Sequence, residues 1–152
     1  MSFTKDDIEG IVKSSLQKLR RLDKHLLDIN INERSITHKL AEYLKEYFPE
    51  FNVDCEYNRF KDIVKTIKLP NERINWNDTE AKTVFPDIII HKRGIEEDNL
   101  LVIEVKKSSN VNSGDFDRIK LQAFLQEPHN YAYGLFLRID LDGENDDLEW
   151  FL

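Results

Sequence analysis

Val84-Phe85-Pro86-Asp87-Ile88-Ile89-Ile90-His91 and Leu100-Leu101-Val102-Ile103-Glu104-Val105-Lys106-Lys107-Ser108 are the two runs whose reading decides the fold. Each is of strand length and rich in β-branched residues. Between them, Lys92 to Asn99 is mostly polar and contains Gly94. This pattern predicts an antiparallel hairpin. Leu100 to Val105 is apolar except at Glu104, so the strand is expected to be covered on both faces. Side chains alternate along a strand, and Glu104 and Lys106 therefore point to one face. Asp87 puts a second carboxylate at the start of the partner strand.

A carboxylate in such a run is costly unless it is paired or holds a cation. Two carboxylates close together repel, and one tends to take up a proton. A divalent cation removes the conflict. Magnesium takes one or two carboxylates and completes its shell with water and substrate phosphate. A nearby ammonium can counter charge that builds on a phosphorane during phosphodiester hydrolysis. The bland alternative is a β-hairpin with a surface salt bridge between Glu104 and Lys106.

Pro86-Asp87, sixteen intervening residues and then Glu104-Val105-Lys106 resemble the motif of the PD-(D/E)XK nuclease superfamily, the restriction-endonuclease-like fold. The motif is short, and its context carries the resemblance: Asp opens one strand and Glu-X-Lys closes the next. The resemblance implies an α/β fold, a three-layer sandwich with a mixed central sheet flanked by helices. It also implies a Mg2+-dependent (or Mn2+-dependent) nuclease. Asp87, Glu104 and the backbone carbonyl of Val105 would hold the metal, and Lys106 would orient or deprotonate the attacking water. Glu33, on the first core helix, matches the position of a glutamate that often reaches the metal in that superfamily. The plain reading of Glu33 is a first-turn glutamate favoured by the helix dipole. The resemblance covers roughly Asn30 to Asp140.

The bulk properties set bounds. A length of 152 residues suits one domain, and 40% hydrophobic residues suffice for a core. We divide it into an N-terminal helical addition (1–29), the core (30–140) and an acidic C-terminal edge (141–152). No apolar run approaches membrane-spanning length, and the N-terminus lacks a signal-peptide pattern. Cys55 is the only cysteine, so an internal disulfide is excluded, and a cytoplasmic location is expected. There is no Cys/His spacing for zinc and no glycine-rich phosphate loop. The net charge of −7 argues mildly against nucleic acid, since phosphate contacts need Lys and Arg. Much of the acid lies in one stretch, however: Asp140, Asp142, Glu144, Asp146, Asp147 and Glu149.

Along the chain, Phe3 to Leu27 reads as a helix with a capping box at Thr4 and Asp7. Its apolar face is Ile8, Ile11, Val12, Leu16, Leu19, Leu22 and Leu26, and Lys13, Lys18, Arg20, Arg21 and Lys24 read as a solvated face. Asn30 to Phe48 reads as a second helix, with Ile36, Leu40, Leu44 and Tyr47 inward. Asn52 to Tyr57 reads as a strand. Arg59 to Thr83 is the least legible part; its six bases face four acids. Arg59, Lys61, Lys65 and Lys68 make it a candidate backbone-contacting flap for nucleic acid, with Trp76 either a stacking residue or a core plug. Asp115 to Gln126 reads as a helix with Phe116, Ile119, Ala123 and Phe124 buried and Leu121 and Leu125 marginal. The resemblance would allow Lys120 or Gln122 on this helix to stand near the substrate. Tyr131 to Asp140 reads as a strand parallel to Leu100–Lys106, joined by a crossover. Leu148 to Leu152 reads as an edge strand.

The expected function is hydrolysis of phosphodiester bonds in nucleic acid, with DNA the expected substrate. The alternative is a non-catalytic nucleic-acid- or protein-binding scaffold of the same fold, acting within a larger complex. A homodimer or a partner protein fits either reading.

Overall fold

The computed structural model describes residues 2–57, 85–95 and 97–152. Expectations for Arg59, Lys61, Lys65, Lys68 and Trp76 lie outside the described residues. Three helices come first: α1 (Lys5–Leu22), α2 (Lys24–Asp28) and α3 (Glu33–Tyr47). Strands β1 (Asn52–Cys55), β2 (Ile88–His91) and β3 (Leu101–Lys107) follow, then α4 (Asp115–Phe124), β4 (Tyr133–Ile139) and β5 (Asp147–Phe151). The five strands form one mixed sheet in chain order. Among the described strands only β3 and β4 are parallel, and α4 is the helix that joins them.

The expected hairpin is present. β2 runs antiparallel to β3, with Ile88 opposite Ile103 and Ile90 opposite Leu101. Strand alternation sorts the side chains into two cores. On one face, Ile88, Ile90, Leu101, Ile103 and Val105 pack with Ile8, Val12, Leu16 and Leu19 of α1 and with Ile36, Leu40 and Leu44 of α3. On the other, Ile89 and Val102 pack with Leu121, Ala123 and Phe124 of α4. The sheet is thus covered on both sides by helices, which is why β2 and the first five residues of β3 are buried throughout. Each such aliphatic side chain contributes roughly 1.5–3 kcal/mol. Among the described residues, no helix is long and apolar enough to cross a membrane.

The Thr4–Asp7 capping box forms as expected. The single helix expected over residues 3–27, however, breaks at Asp23. Asp23 leaves helical geometry (φ −123°), and its carboxylate accepts a hydrogen bond from the Tyr43 hydroxyl. The break shifts the phase of the apolar stripe. Leu22, just before the break, is 59% exposed, and Leu27, after it, is buried.

The basic face of α1 departs from the solvated expectation at Arg20. Its guanidinium enters the acidic turn between β4 and β5 and donates to both carboxylate oxygens of Asp146, to Gly143 O (2.9 Å) and to Asp140 O (3.1 Å). Nearby, Arg118 of α4 donates to Glu149 (2.7 Å). Two of the six acids of this stretch, Asp146 and Glu149, are thus paired with arginines.

The buried stripe of α4 is also rotated from the expected one. Leu121 is fully buried and Phe116 and Ile119 are only partly so. The inward positions are Asp117, Lys120, Leu121 and Phe124, which follow helical i, i+3, i+4, i+7 spacing. Gly114 sets this phase. It stands at the N-cap of α4 with φ +84°, and a Cβ there would lie 2.0 Å from Phe136 Cε2.

Two stability predictions follow from these contacts. Arg20→Ala should lower the free energy of unfolding by roughly 2–4 kcal/mol, because it strands the Asp146 carboxylate, whereas exposed Lys13→Ala should change it by less than about 0.5 kcal/mol. Gly114→Ala should cost roughly 2–4 kcal/mol, from a positive φ combined with a ring clash. Urea unfolding of the three variants checks both.

Candidate active site

The register of β2 on β3, extended by one residue, sets Asp87 opposite Glu104. The backbone ladder itself stops at Ile88 and Ile103, and Pro86, just before Asp87, has no N–H to extend it. Side chains continue it. Asp87 N–H donates to Glu104 Oε2 (2.8 Å), and Val105 N–H donates to Asp87 Oδ2 (2.8 Å). Each carboxylate thus takes a backbone N–H from the other's strand. The two side chains are held side by side at the floor of a cleft of about 980 Å³.

Glu104 is 1% exposed. Its second oxygen, Oε1, forms an ion pair with Nζ of Lys120, which is itself only 4% exposed. The Lys120 ammonium also donates to Phe85 O (3.3 Å) and stands 4.0 Å from Asp117 Oδ1. Asp117 Oδ2 in turn pairs with Lys106 Nζ at 3.1 Å. Glu104 and Lys106 do share a face, as strand alternation requires, and α4 supplies a partner to each. Three carboxylates (Asp87, Glu104, Asp117) stand against two ammonium groups (Lys106, Lys120), which leaves one net negative charge.

Protonation follows from this crowding. Burial pushes the Glu104 carboxyl well above its ordinary range, the charge of Asp87 adds to the shift, and Lys120 opposes it. Asp87 is also raised, first by burial, against the pull of Lys120 and of the Val105 N–H. For Lys120, burial works against the charge, but the combined attraction of Glu104, Asp87 and Asp117 outweighs it and holds the ammonium above its usual value.

The remaining expected site residues are distributed as follows. Glu33, the first residue of α3, lines the same cleft. Its Oε2 accepts from Lys107 N–H (2.7 Å), and both its oxygens accept from Asn110 Nδ2 (3.0 Å). It ties α3 to the end of β3, whatever further role it has. Val105 sends its side chain into the core beneath α1 and α3, so only its backbone faces the cleft. Gln122 is exposed and does not line the cleft, because it lies two residues, about 200° around the helix, from Lys120. Asp117 was not among the expected residues. Its signal was present: Asp117 and Lys120 are a charged pair at i, i+3 inside the apolar stripe of a crossover helix.

A hard divalent cation suits the donor set. Asp87 Oδ1 has no hydrogen-bond partner among the described residues, and Glu104 Oε1 is held by a monovalent cation. Among the described residues no group of three or more His, Cys, Asp or Glu is placed to hold a metal ion. Two carboxylates plus water and phosphate are nonetheless the usual complement for magnesium. Comparison with family models, with curated proteins and with solved structures returned no match to this chain.

The raised carboxyls predict a pH dependence of stability. The folded state holds the Glu104 proton more tightly than the unfolded state does. Its contribution is therefore present in full below the ordinary value of 4.5 and is lost as pH rises through the raised folded value. Glu104→Gln removes this titration. In urea unfolding from about pH 4.5 to about pH 7.5, wild-type stability should fall relative to the variant by up to about 1.4 kcal/mol per pH unit.

Proposed function

We propose that this chain is a magnesium-dependent nuclease of the PD-(D/E)XK type, with a restriction-endonuclease-like core. The observation that carries the reading is the Asp87–Glu104 clamp at the end of the β2–β3 hairpin, with Lys106 two residues on and facing the same cleft. The order of α3, three antiparallel strands, α4 and a parallel fourth strand supports it.

Asp87 and Glu104 would hold the cation, with the Val105 carbonyl beside them; Glu33, expected as a further ligand, is instead engaged by Lys107 and Asn110 and forms no three-carboxylate group with them. When bound, the cation supplies Lewis-acid stabilisation to a phosphodiester. Net charge decides why it is needed. The cluster with its two lysines carries one formal unit of negative charge, which repels phosphate. A divalent cation turns the balance to one unit positive and makes room for a phosphodiester. Lys106 is only partly buried and leans on Asp117, so its ammonium can turn toward a substrate oxygen and oppose charge developing there. Arg34 and Lys39 of α3 also line the cleft and offer sites for backbone phosphates. The product ends would be 5′-phosphate and 3′-hydroxyl, and DNA is the first substrate to test.

One observation favours the alternative of a non-catalytic scaffold. Glu104 already has an internal cation in Lys120, so the clamp is neutralised in part without metal. The discriminating experiment is cleavage of plasmid, linear and single-stranded nucleic acid with Mg2+ or Mn2+. Asp87→Asn and Lys106→Ala should each lower the cleavage rate on the order of 10²-fold or more, with an unchanged circular dichroism spectrum. Wild-type rates in both variants would remove the site as described, and no cleavage by the wild type on any substrate would favour the scaffold.

A further inference from the structure

Lys120 is the most unusual side chain of the cleft. It is a lysine on the buried stripe of α4, and its ammonium sits on an oxygen of the carboxylate pair that the proposed cation needs. The Lys120 ammonium and a divalent cation would repel each other at Glu104 Oε1 and so compete for it. The structure also provides the ammonium with somewhere else to go. Asp117 lies one helical turn back on the same helix, with Oδ1 already 4.0 Å from Lys120 Nζ. That separation is already at the limit of an ion pair. Asp117 is engaged by Lys106 at 3.1 Å through its other oxygen, Oδ2, so a second ammonium drawn onto Asp117 repels Lys106 and loosens its hold there.

We propose that Lys120 is a displaceable internal counter-ion of the Asp87–Glu104 pair, one that gives up Glu104 to an incoming divalent cation and moves onto Asp117. Without metal it keeps a buried carboxylate compensated and the hairpin end closed. When metal arrives, its shift to Asp117 frees Lys106 for the substrate. Lys120 and Asp117 are therefore positioning residues that link metal loading to the release of Lys106. The inference rests on the magnesium reading above.

The test is a Mn2+ titration of the full chain without nucleic acid, with free Mn2+ followed by electron paramagnetic resonance. Lys120→Gln should bind Mn2+ about tenfold more tightly than wild type, because Glu104 Oε1 no longer has to be vacated. Lys106→Gln removes the same charge from the same cleft but leaves the Lys120–Glu104 pair in place, and its affinity should stay within about threefold of wild type. Asp117→Asn removes the alternative partner and should weaken Mn2+ binding by roughly threefold or more. In thermal melts without metal, Lys120→Gln should unfold at a lower temperature than wild type, and saturating Mn2+ should raise its midpoint by more than it raises the wild type's.

Equal or weaker binding by Lys120→Gln, in a wild type that binds, overturns the counter-ion role and leaves the nuclease reading standing. A gain in Lys106→Gln as large as in Lys120→Gln does the same, since it reduces the effect to bulk charge. Absence of Mn2+ binding in both wild type and Lys120→Gln overturns the magnesium reading together with this inference. If Lys120→Gln fails to fold, Asp117→Asn carries the test alone, and unchanged Mn2+ affinity there overturns the exchange.

Discussion

Just past the end of the β2–β3 ladder, two carboxylates take over as the acceptors that pair the strands. Asp87 and Glu104 each accept an N–H from the opposite strand, and this exchange sets much of the local structure. It brings two negative charges together at a buried sheet end, where neither has much water to solvate it. Such a pair is tolerable only if cations are supplied. The chain supplies two of them, one from β3 itself and one from the crossover helix.

That requirement explains features of the fold that hydrophobic packing alone would not demand. The first turns of α4 must bring Asp117 and Lys120 over the sheet while Leu121 and Phe124 fill the core. The helix can do both only in one rotational setting. Gly114, with its positive φ under the Phe136 ring, starts it there. The connection before it is also pinned. Arg138 donates to the carbonyls of Asn110 (3.0 Å) and Asn112 (2.9 Å), and Asn110 is bound to Glu33 at the start of α3. The cleft therefore has walls from both layers of helices, joined through a polar loop that is held at several points. A buried ionic cluster of this kind adds little net stability, since desolvation offsets much of the attraction. Its place in the molecule is better understood through charge that can be rearranged than through charge that holds the fold.

Other charges follow a different rule. The acidic turn after β4 is steadied by one guanidinium, and an arginine suits it because its planar fork reaches two carboxylate oxygens and two carbonyls at once. Asp54 is similar at the opposite edge of the sheet, where Arg93 (3.0 Å) and His91 (2.7 Å) converge on it. Burial of Asp54 opposes its ionisation, but these two partners hold its pKa below the usual value. In these places the charge is matched locally by a neighbouring cation. At the Asp87–Glu104 clamp, by contrast, three acids and two bases share partners at a buried cleft floor.

Much of this was legible in the chain alone. The hairpin, the common face of Glu104 and Lys106, the capping box at Thr4 and the parallel crossover to β4 all follow from local rules: alternation, helical periodicity and cap chemistry, which act over a few residues. Three things did not follow. The break at Asp23 depends on Tyr43, twenty residues on, as its hydrogen-bond partner. The burial of Arg20 depends on an acidic turn more than a hundred residues away. The membership of Asp117 and Lys120 in the cleft depends on how α4 is rotated, which Gly114 and the Phe136 ring decide together. Sequence patterning thus determined which residues could carry the chemistry, because strand and helix periods are local properties of the backbone. Tertiary structure decided which charge meets which, because an ion pair is set by distances between elements that the chain brings together only when it folds.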